Sequence, residues 1–532
     1  MSLLSLKEVS LSIHGTPILD RVSLDVAPGQ VFGVVGESGS GKSMTAMSVM
    51  QLLPDGAQPT GRIEFEQREL LTLPESAMCH IRGNRIGMIF QEPMTALNPV
   101  QTIGDQVAET LMVHGAAGRA EATRIAADSL ARVGLPQDRF PLTRYPHELS
   151  GGQRQRVCIA MAVALRPALL IADEPTTALD VTTQAQILAL LRRLVDDDGM
   201  ALMLITHDLA VVAGMADHVA VMEKGRIVEQ AATEPLFRRM AHPYTRKLFR
   251  ASDHVPQRTA APRDTPLLEV RGAVRDYALP KVHLFQRTPL FRAVDDVSLT
   301  LHEGESLGLV GESGCGKSTL TRAILGLEPL QGGEIRIEGE TVRPGRKMTA
   351  ALRRKVQVVF QDPYGSFNPR HRVGRLVTEP FHLLSDPPLG SDRRARIGEA
   401  LEAVGLRPAD AEKYPHEFSG GQRQRIAIAR ALIIRPRMIV LDEAVSALDV
   451  SIRAQILDLL ADLQARFGLA YLFISHDLSV VRAISDRVLV MKSGQIVESG
   501  ATHAVFDAPQ HPYTRQLIEA APRIPAGWAA GD

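Results

Sequence analysis

Short runs of apolar residues recur along the chain, and several of them stop at a polar or glycine-rich turn. Fully apolar runs of four to eight residues are typical of strands that are buried on both faces of a parallel sheet. In the first half these runs are residues 31–35, 169–172 and 203–205. In the second half they are residues 307–310, 439–441 and 472–474. The pattern predicts the same set of buried strands in each half.

Helical segments follow two of these runs. Residues 44–47 and 319–322 come directly after a glycine-rich turn and predict helices, so each half begins with a strand, loop and helix. Stretches rich in Ala, Leu, Glu and Arg lie between Thr102 and Tyr145 and again between Arg372 and Tyr414. They predict inserted helices in an α/β domain.

Four motifs occur twice in the same order, which indicates two copies of one domain. A glycine-rich loop, a Ser-Gly-Gly-Gln string, an Asp-Glu pair and a histidine return in the second half at a nearly constant spacing. The spacing predicts a first domain over residues 1–251 and a second over residues 267–532. Residues 252–266 are polar, contain proline and lack periodicity, so they predict a linker.

Composition restricts the class of protein. Hydrophobic residues make up 45% of the chain and charged residues 23%, and the 60 basic residues equal the 60 acidic ones in number. This balance gives no excess charge for nucleic acid, so no nucleic-acid partner is expected. The longest apolar run, residues 157–172, is interrupted by Arg166 and Pro167, and we therefore expect no membrane-spanning helix.

The glycine-rich loops at residues 36–43 and 311–318 match the pattern G-x-x-x-x-G-K-[ST] of a phosphate-binding loop. Glycines let backbone N–H groups surround the phosphates, the lysine adds a positive charge, and the serine hydroxyl binds Mg²⁺. The helix that follows adds its positive N-terminal end. The predicted nucleotide-binding residues are Gly36, Ser38, Gly39, Gly41, Lys42, Ser43 and Met44 in the first half, and Gly311, Ser313, Gly314, Gly316, Lys317, Ser318 and Thr319 in the second.

Carboxylates end one buried strand in each half, where the sheet is expected to place them beside the phosphate loop. Asp173 and Asp442 are predicted to hold Mg²⁺ together with Ser43 and Ser318. Glu174 and Glu443 are predicted catalytic residues that orient or deprotonate the attacking water. The cofactors expected from these motifs are ATP and Mg²⁺.

The Ser-Gly-Gly-Gln strings between the phosphate loop and the Asp-Glu pair resemble those of ATP-binding cassette (ABC) ATPases, and the resemblance covers nearly all of both halves. It implies an α/β fold with two tandem P-loop NTPase domains. Each would have a RecA-like parallel-sheet core, an inserted helical subdomain and an antiparallel β region. It also implies that the Ser-Gly-Gly-Gln string of one domain covers the ATP held by the other. Those residues are Ser150, Gly151, Gly152 and Gln153, and Ser419, Gly420, Gly421 and Gln422.

The same resemblance implies further roles. Gln91 and Gln361 would bind metal, sense the γ-phosphate and touch the transmembrane partner, and Asp180 and Asp449 would link the two sites. His207 and His476 would be catalytic switch residues at the γ-phosphate. Tyr277 would stack on adenine in the second half, whereas the matching position in the first half falls near residues 13–14. Because both halves keep the whole set, two hydrolytically competent sites are expected.

Two further strings are similar to those of oligopeptide, dipeptide and nickel importers: residues 91–99 with 361–369, and His-Pro-Tyr-Thr-Arg at 242–246 and 511–515. The alternative for the second string is a plain helix start with Pro at its first position. The resemblance implies the ATP-hydrolysing subunit of an importer for peptides or a related small solute. Its partners would be two transmembrane permease subunits and, through them, an extracytoplasmic solute-binding protein. The chain would lie in the cytoplasm, peripheral on the inner face of the cell membrane.

Other functions remain open from the sequence. A soluble twin-cassette ABC ATPase of translation or DNA repair is the main alternative, although the linker is short and no coiled coil or zinc site is visible. The ATPase pair of an exporter is a third. Peptide, nickel complex, glutathione and opine all remain candidate solutes. Cys315 lies inside the second phosphate loop, either as a small filler or as a thiol whose pKa the helix N-terminus lowers.

Overall fold

The computed structural model describes residues 2–92, 96–177, 179–258, 262–279, 288–362, 365–446, 448–525 and 527–528. Contacts between Cα atoms divide the chain into two units. The first unit holds residues 1–179, 183–252 and 522–532, and the second holds residues 180–182 and 253–521. Each unit is described by itself.

Residues 1–252 contain two sheets. The strands are β1 (Leu4–Ile13), β2 (Thr16–Val26), β3 (Val31–Val35), β4 (Ala57–Phe65), β5 (Arg68–Glu69), β6 (Ile86–Ile89), β7 (Leu169–Asp173), β8 (Ala201–Thr206), β9 (His218–Glu223) and β10 (Arg226–Ala232). An antiparallel sheet has the order β2-β1-β4-β5, and a six-stranded sheet has the order β10-β9-β3-β8-β7-β6. In the larger sheet all pairs are parallel except β9 with β10.

Nine helices accompany these strands in the described part of residues 1–252. They are α1 (Lys42–Met50), α2 (Glu75–Ile81), α3 (Ile103–Val113), α4 (Arg119–Arg132), α5 (Gly151–Val163), α6 (Val181–Asp198), α7 (Leu209–Met215), α8 (Thr233–Arg239) and α9 (Pro243–Ser252). Helices α3 and α4 form the insertion predicted between Thr102 and Tyr145. They join the core because Ile103, Val107 and Leu130 are buried in the same cluster as β3 and β8.

The second unit repeats this plan. Its strands are β11 (Pro266–Ala278), β12 (Leu290–His302), β13 (Ser306–Val310), β14 (Gly332–Ile337), β15 (Glu340–Thr341), β16 (Val356–Val359), β17 (Met438–Asp442), β18 (Ala470–Ile474), β19 (Arg487–Lys492) and β20 (Gln495–Ala501). The sheet orders are β12-β11-β14-β15 and β16-β17-β18-β13-β19-β20. Its helices are α10 (Lys317–Ile324), α11 (Ala350–Lys355), α12 (Val373–Val377), α13 (Gly390–Ala403), α14 (Gly420–Leu432), α15 (Val450–Phe467), α16 (Leu478–Ile484), α17 (Thr502–Asp507) and α18 (Pro512–Ala520).

The six apolar runs of the sequence are all strands of the two larger sheets, so the predicted parallel core is confirmed. The predicted helical insertions and antiparallel β regions are confirmed as well. In each larger sheet the first central strand, β3 or β13, pairs with β8 or β18, and that strand pairs in turn with β7 or β17. This order brings the phosphate loop, the Asp-Glu pair and the histidine to one edge of the sheet, because all three follow the carboxyl ends of parallel strands.

Two connecting segments are anchored by side chains. In the second unit the Arg258 guanidinium donates to Asp486 Oδ2 at 2.7 Å, and His254 Nε2 lies 2.7 Å from Asp458 Oδ1. In the first unit Trp528 packs on Phe237 with 6.1 Å between ring centroids, and the Arg238 guanidinium donates to the Gly527 carbonyl at 2.9 Å. The chain therefore returns to the first unit after α18.

Two candidate nucleotide sites

The phosphate loops connect β3 to α1 and β13 to α10, and each folds around its own lysine. Lys42 Nζ donates to the carbonyl oxygens of Gly36 at 2.7 Å and Glu37 at 2.9 Å. Lys317 Nζ repeats both contacts with the first two residues of its loop, at 2.6 and 2.8 Å. Both lysine side chains are buried. The ammonium groups are therefore fixed inside the loops by backbone carbonyls, in place to meet an anion.

The glycine before each lysine is required by backbone geometry and by space. Gly41 has φ 104° and Gly316 has φ 111°, a region that L side chains rarely adopt. A Cβ atom on Gly41 would lie 2.7 Å from Leu19 Cδ2, and one on Gly316 would lie 2.2 Å from the Ala293 carbonyl oxygen. No other residue fits at the start of these helices without displacing neighbouring atoms.

Asp173 and Asp442 end β7 and β17 as predicted. Burial raises the pKa of both carboxyl groups. The Ser43 hydroxyl donates a hydrogen bond to Asp173. This hydrogen bond lowers the pKa of Asp173 but does not cancel the effect of burial. Among the described residues, the Oδ1 atom of Asp173 is buried without a hydrogen-bond partner. A buried carboxylate with an unsatisfied oxygen next to a hydroxyl fits a hard divalent cation such as Mg²⁺.

Glu174 follows β7 directly and lies at the centre of a small polar network. Its φ is 48°, and its N–H donates to the Ile205 carbonyl at 2.8 Å. One carboxylate oxygen lies 3.3 Å from His207 Nδ1. The other accepts hydrogen bonds from Gln91 Nε2 at 3.0 Å and Thr177 Oγ1 at 2.9 Å. Burial opposes ionisation, but contact with His207 and Thr177 outweighs it and lowers the pKa of Glu174 to about 2.

Glu443 takes the same position after β17. Its φ is 51°, its N–H donates to the Ile474 carbonyl at 2.9 Å, and its Oε1 lies 3.2 Å from His476 Nδ1. Burial acts against ionisation here too, and contact with His476 lowers the pKa of Glu443 overall. Ser446 donates to the Glu443 backbone carbonyl at 2.9 Å. Both glutamates are thus ionised at neutral pH and point toward a histidine, an arrangement that can orient a water molecule.

The two Ser-Gly-Gly-Gln strings begin α5 and α14. The Ser150 hydroxyl accepts from the Gln153 N–H, while the Gln153 side chain accepts from the Ser150 N–H, and Ser419 and Gln422 make the same reciprocal pair. A Cβ atom on Gly152 would lie 2.3 Å from Thr183 Cγ2. Gly421 stands equally close to Ile452, whereas Gly151 and Gly420 are exposed. The strings therefore present capped helix starts packed tightly on the following helix.

The remaining predicted residues lie around these loops. Gln91 and Gln361 are exposed after β6 and β16, and Asp180 and Asp449 immediately precede α6 and α15. Asp180 is buried and accepts from the Thr182 hydroxyl at 2.7 Å. Met44 is half-buried in α1.

Tyr277 lies on β11 at the edge of the second phosphate-loop helix. Its hydroxyl is 3.4 Å from Thr319 Oγ1 and donates to Glu328, while the Arg275 guanidinium carbon lies 4.6 Å from the centre of its ring. In the first unit His14 is exposed at the matching place. An aromatic ring beside the phosphate-loop helix is thus a feature of the second unit.

Three contacts were not predicted from the sequence: Thr177 with Glu174, and Tyr244 and Tyr513 with the phosphate loops. A hydroxyl three residues after the glutamate in both halves was the available signal for the first.

The hypothesis of a lowered pKa for Cys315 is wrong: the thiol is buried, and burial raises its pKa although Lys317 Nζ lies 3.7 Å from the sulfur. Pro93, Met94, Thr95, Pro363 and Tyr364 of the two importer-like strings lie outside the described residues.

Comparison with known proteins decides the family. The family described as "ABC transporter" matches residues 19–177 and 294–446, which is more than half of the chain. The chain belongs to the ABC transporter family. A second family, "Oligopeptide/dipeptide transporter, C-terminal region", matches residues 228–272 and 497–531 of this ABC protein.

Two relatives that are similar over most of their length support the same assignment. This ABC protein is 48% identical over 532 residues to the "Peptidoglycan transport ATP-binding protein YejF" of Agrobacterium fabrum, covering 98% of this chain and 97% of the relative. It is 49% identical over 541 residues to the "Glutathione import ATP-binding protein GsiA" of Escherichia coli K12, covering 94% and 86%. A solved structure titled "Dimeric Structure of MJ0796, a Bacterial ABC Transporter Cassette" is 30% identical, with a TM-score of 0.39 over 43% of this chain and 98% of that one.

The chain is therefore an ATP-binding, ATP-hydrolysing subunit of an ABC importer of the oligopeptide/dipeptide class. The alternative of a soluble twin-cassette ATPase in translation or DNA repair finds no support among these relatives. Within the described part of the chain, we find no helix with the length and apolar character that spanning a membrane requires.

Proposed function

We propose that this ABC ATPase powers the uptake of a solute that contains peptide bonds. The observation that carries the proposal is similarity over nearly the whole chain to proteins named for glutathione import and peptidoglycan transport. Glutathione and the stem of peptidoglycan each contain a short peptide. Peptide-like solutes therefore rank above nickel complexes and opines.

Each unit would bind one ATP at its phosphate loop, with Mg²⁺ held by Ser43 and Asp173 or by Ser318 and Asp442. The ion supplies positive charge to the phosphate oxygens when bound. Lys42 or Lys317 neutralises phosphate charge, and Gln91 or Gln361 contacts the γ-phosphate side. Glu174 or Glu443 orients the attacking water, while His207 or His476, which lies against that carboxylate, contacts the γ-phosphate. The proposal also includes the domain division: residues 1–251 and 267–532 would form the two ATPase domains, and residues 252–266 would link them.

The helix starts at Ser150 and Ser419 would each complete the site of the opposite domain, and Asp180 and Asp449 would link the two. A Ser419→Arg variant tests this idea. We expect it to stop hydrolysis at the Lys42 site while the Lys42 loop still binds ATP. Loss of hydrolysis confined to the Lys317 site would contradict the exchange.

The permease partners would dock beside the two glutamines. Phe90 and Phe360, which directly precede Gln91 and Gln361, are large apolar side chains with 42% and 40% of their surface exposed. In the second unit Phe360 lines a cavity of about 620 Å³ together with Gln357, Asp362, Ser366, Glu379, Pro380, His382 and Arg430. An open cavity lined by both apolar and charged side chains suits a short helix or loop of a membrane protein.

The test is affinity purification of the tagged chain from detergent-solubilised membranes, followed by mass spectrometry. We expect two multi-spanning permease proteins, with the chain on the inner face of the cell membrane, and an extracytoplasmic solute-binding protein recovered through them. Phe360→Asp should lose the permeases and keep basal ATP hydrolysis. The control is Leu389→Asp, which changes a residue with 74% of its surface exposed, outside the cavity lining, in the same unit. Recovery of no permease with the unaltered chain would refute the transporter assembly.

A further inference from the structure

The His-Pro-Tyr strings reach the phosphate loops through their tyrosines. The Tyr244 hydroxyl accepts a hydrogen bond from the Glu37 backbone N–H at 3.2 Å. In the second unit the Tyr513 hydroxyl accepts from the Glu312 N–H at 3.1 Å. Glu37 and Glu312 are the second residues of the two phosphate loops. The same contact therefore links distant parts of the chain in both units.

Each tyrosine is held in place by the helix start on which it lies. His242 Nδ1 accepts from the Tyr244 N–H at 3.2 Å. The Glu229 carboxylate, on β10, accepts from the N–H groups of Ala241 at 2.8 Å and His242 at 3.1 Å. The second unit repeats these contacts at 2.8 to 3.1 Å among Glu498, Gln510, His511 and Tyr513. Both tyrosines are buried. A connected set of hydrogen bonds thus runs from the edge strand to the loop.

In the first unit, Tyr244 and Lys42 contact the same peptide group, the one between Gly36 and Glu37, at its N–H and at its carbonyl oxygen. Tyr244 accepts from the Glu37 N–H, and Lys42 donates to the Gly36 and Glu37 carbonyls. The Glu37 N–H is half-buried, so the loss of this partner would cost part of the free energy of a hydrogen bond. With this partner, the loop is ordered before a nucleotide arrives, which lowers the entropy cost of binding.

We propose that Tyr244 and Tyr513 are positioning residues that hold the two phosphate loops in the shape that accepts ATP. This proposal rests on the proposed function, because it assumes that the loops bind ATP. It gives the His-Pro-Tyr string a role in nucleotide affinity, beyond a helix start with Pro at its first position. The tyrosine touches the loop backbone and acts on the nucleotide only through it.

The test compares two Tyr→Phe substitutions in the second unit. Tyr513→Phe removes the oxygen that contacts the loop. The matched control is Tyr471→Phe in β18, where a fully buried hydroxyl donates to the Leu460 carbonyl at 2.9 Å. Both changes delete one buried hydroxyl and one hydrogen bond. They are made in a Lys42→Ala background, so that the binding of methylanthraniloyl-ATP reports the second site.

We expect Tyr513→Phe to weaken binding of the fluorescent ATP roughly two- to tenfold, the effect of one lost hydrogen bond. Deuterium exchange of the amides in residues 307–316 should accelerate in the same variant. Tyr471→Phe should lower the melting temperature and leave both readouts unchanged. With both lysines intact, Tyr244→Phe plus Tyr513→Phe should raise KM for ATP and largely preserve kcat.

Equal ATP affinity in Tyr513→Phe and the Lys42→Ala parent would overturn the positioning role. An equal loss of affinity in Tyr471→Phe would overturn it too, since general destabilisation would then explain the effect. If the parent with Lys317 intact binds no ATP, the proposed function fails instead, and the two failures are distinguishable.

Discussion

The two units hold the phosphate-loop lysine through the same backbone contacts but surround the glutamate differently. In the first unit Thr177 donates to the Glu174 carboxylate, whereas in the second Ser446 donates to the Glu443 backbone carbonyl. Asp173 has 4% of its surface exposed, while its counterpart Asp442 is only half-buried. The phosphate-loop lysine, the Ser-Gly-Gly-Gln string, the glutamate and the histidine were kept in both copies, but the neighbours of the glutamate diverged. Two competent sites with unequal rates are the expected consequence.

A second difference lies behind the histidines. Asp208 and Asp477 follow His207 and His476 and cap α7 and α16. Arg453 donates a hydrogen bond to the Asp477 carboxylate at 2.6 Å. Among the contacts of the described residues, Asp208 has no such arginine. Burial opposes ionisation of Asp477, but the charge of Arg453 and the hydrogen bonds from Ser479 and the Val480 N–H act together against it and lower the pKa of Asp477. The first unit has Gln184 where the second has Arg453.

The largest effect is expected from the glutamates. Glu174→Gln plus Glu443→Gln removes both carboxylates that orient water, and we expect phosphate release to fall by roughly 10²- to 10⁴-fold while ATP binding persists. The two single variants would divide the activity between the units. A double variant that hydrolyses ATP at the unaltered rate would contradict both assignments.

The hydroxyl difference predicts an effect confined to one unit. Thr177→Val removes a donor to the Glu174 carboxylate, and we expect roughly a tenfold loss of turnover at the first site. Ser446→Ala removes a contact to a backbone carbonyl and should change turnover at the second site less than twofold. Single-turnover hydrolysis in Lys317→Ala and Lys42→Ala backgrounds measures each site. Equal losses would show that the hydroxyls are equivalent.

Lowering the pH should protonate the aspartate of the first site before the glutamate that follows it. Burial raises the pKa of Asp173, whereas the pKa of Glu174 is lowered to about 2. As pH falls, Asp173 therefore takes up a proton first and loses the charge that attracts Mg²⁺. We expect Mg²⁺-dependent ATP binding to weaken on acidification at a pH that is already above the ordinary pKa range of aspartate. Titration by fluorescence between pH 7.5 and 4.5 measures this weakening. ATP binding without Mg²⁺ is the control. Glu174→Gln should move the weakening to lower pH, because the charge of Glu174 contributes to the raised pKa of Asp173.

The smallest effect is expected from exchanging the residues behind the histidines. Arg453→Gln gives the second unit the residue of the first, and we expect it to cost about 1 kcal/mol, because the ion pair is only partly buried. Gln184→Arg makes the reverse exchange in the first unit. Thermal unfolding followed by calorimetry measures both. A higher melting temperature for Arg453→Gln would contradict the stabilising role of the pair.

Most of the fold was predictable because repetition and apolar runs are properties of the sequence itself. The strands before Gly36 and Asp173 and the helix starts at Lys42 and Ser150 follow from local patterns. The contact of Tyr244 with Glu37 joins residues that are far apart in sequence, so no local pattern contains it. The hydroxyl of Thr177 was visible in the sequence, but its contact with the Glu174 carboxylate was not, because the direction of the side chain depends on the backbone turn at Glu174. Cys315 shows the same limit: the helix start was visible, but burial, which decides its pKa, was not.

The packing of Trp528 on Phe237 has a practical consequence for spectroscopy. Trp528 is the single tryptophan of the chain, so fluorescence excited at a wavelength selective for indole comes from one position. That position is a C-terminal segment resting on α8, away from both phosphate loops in sequence. Intrinsic emission should therefore follow detachment of this segment during denaturation or proteolysis.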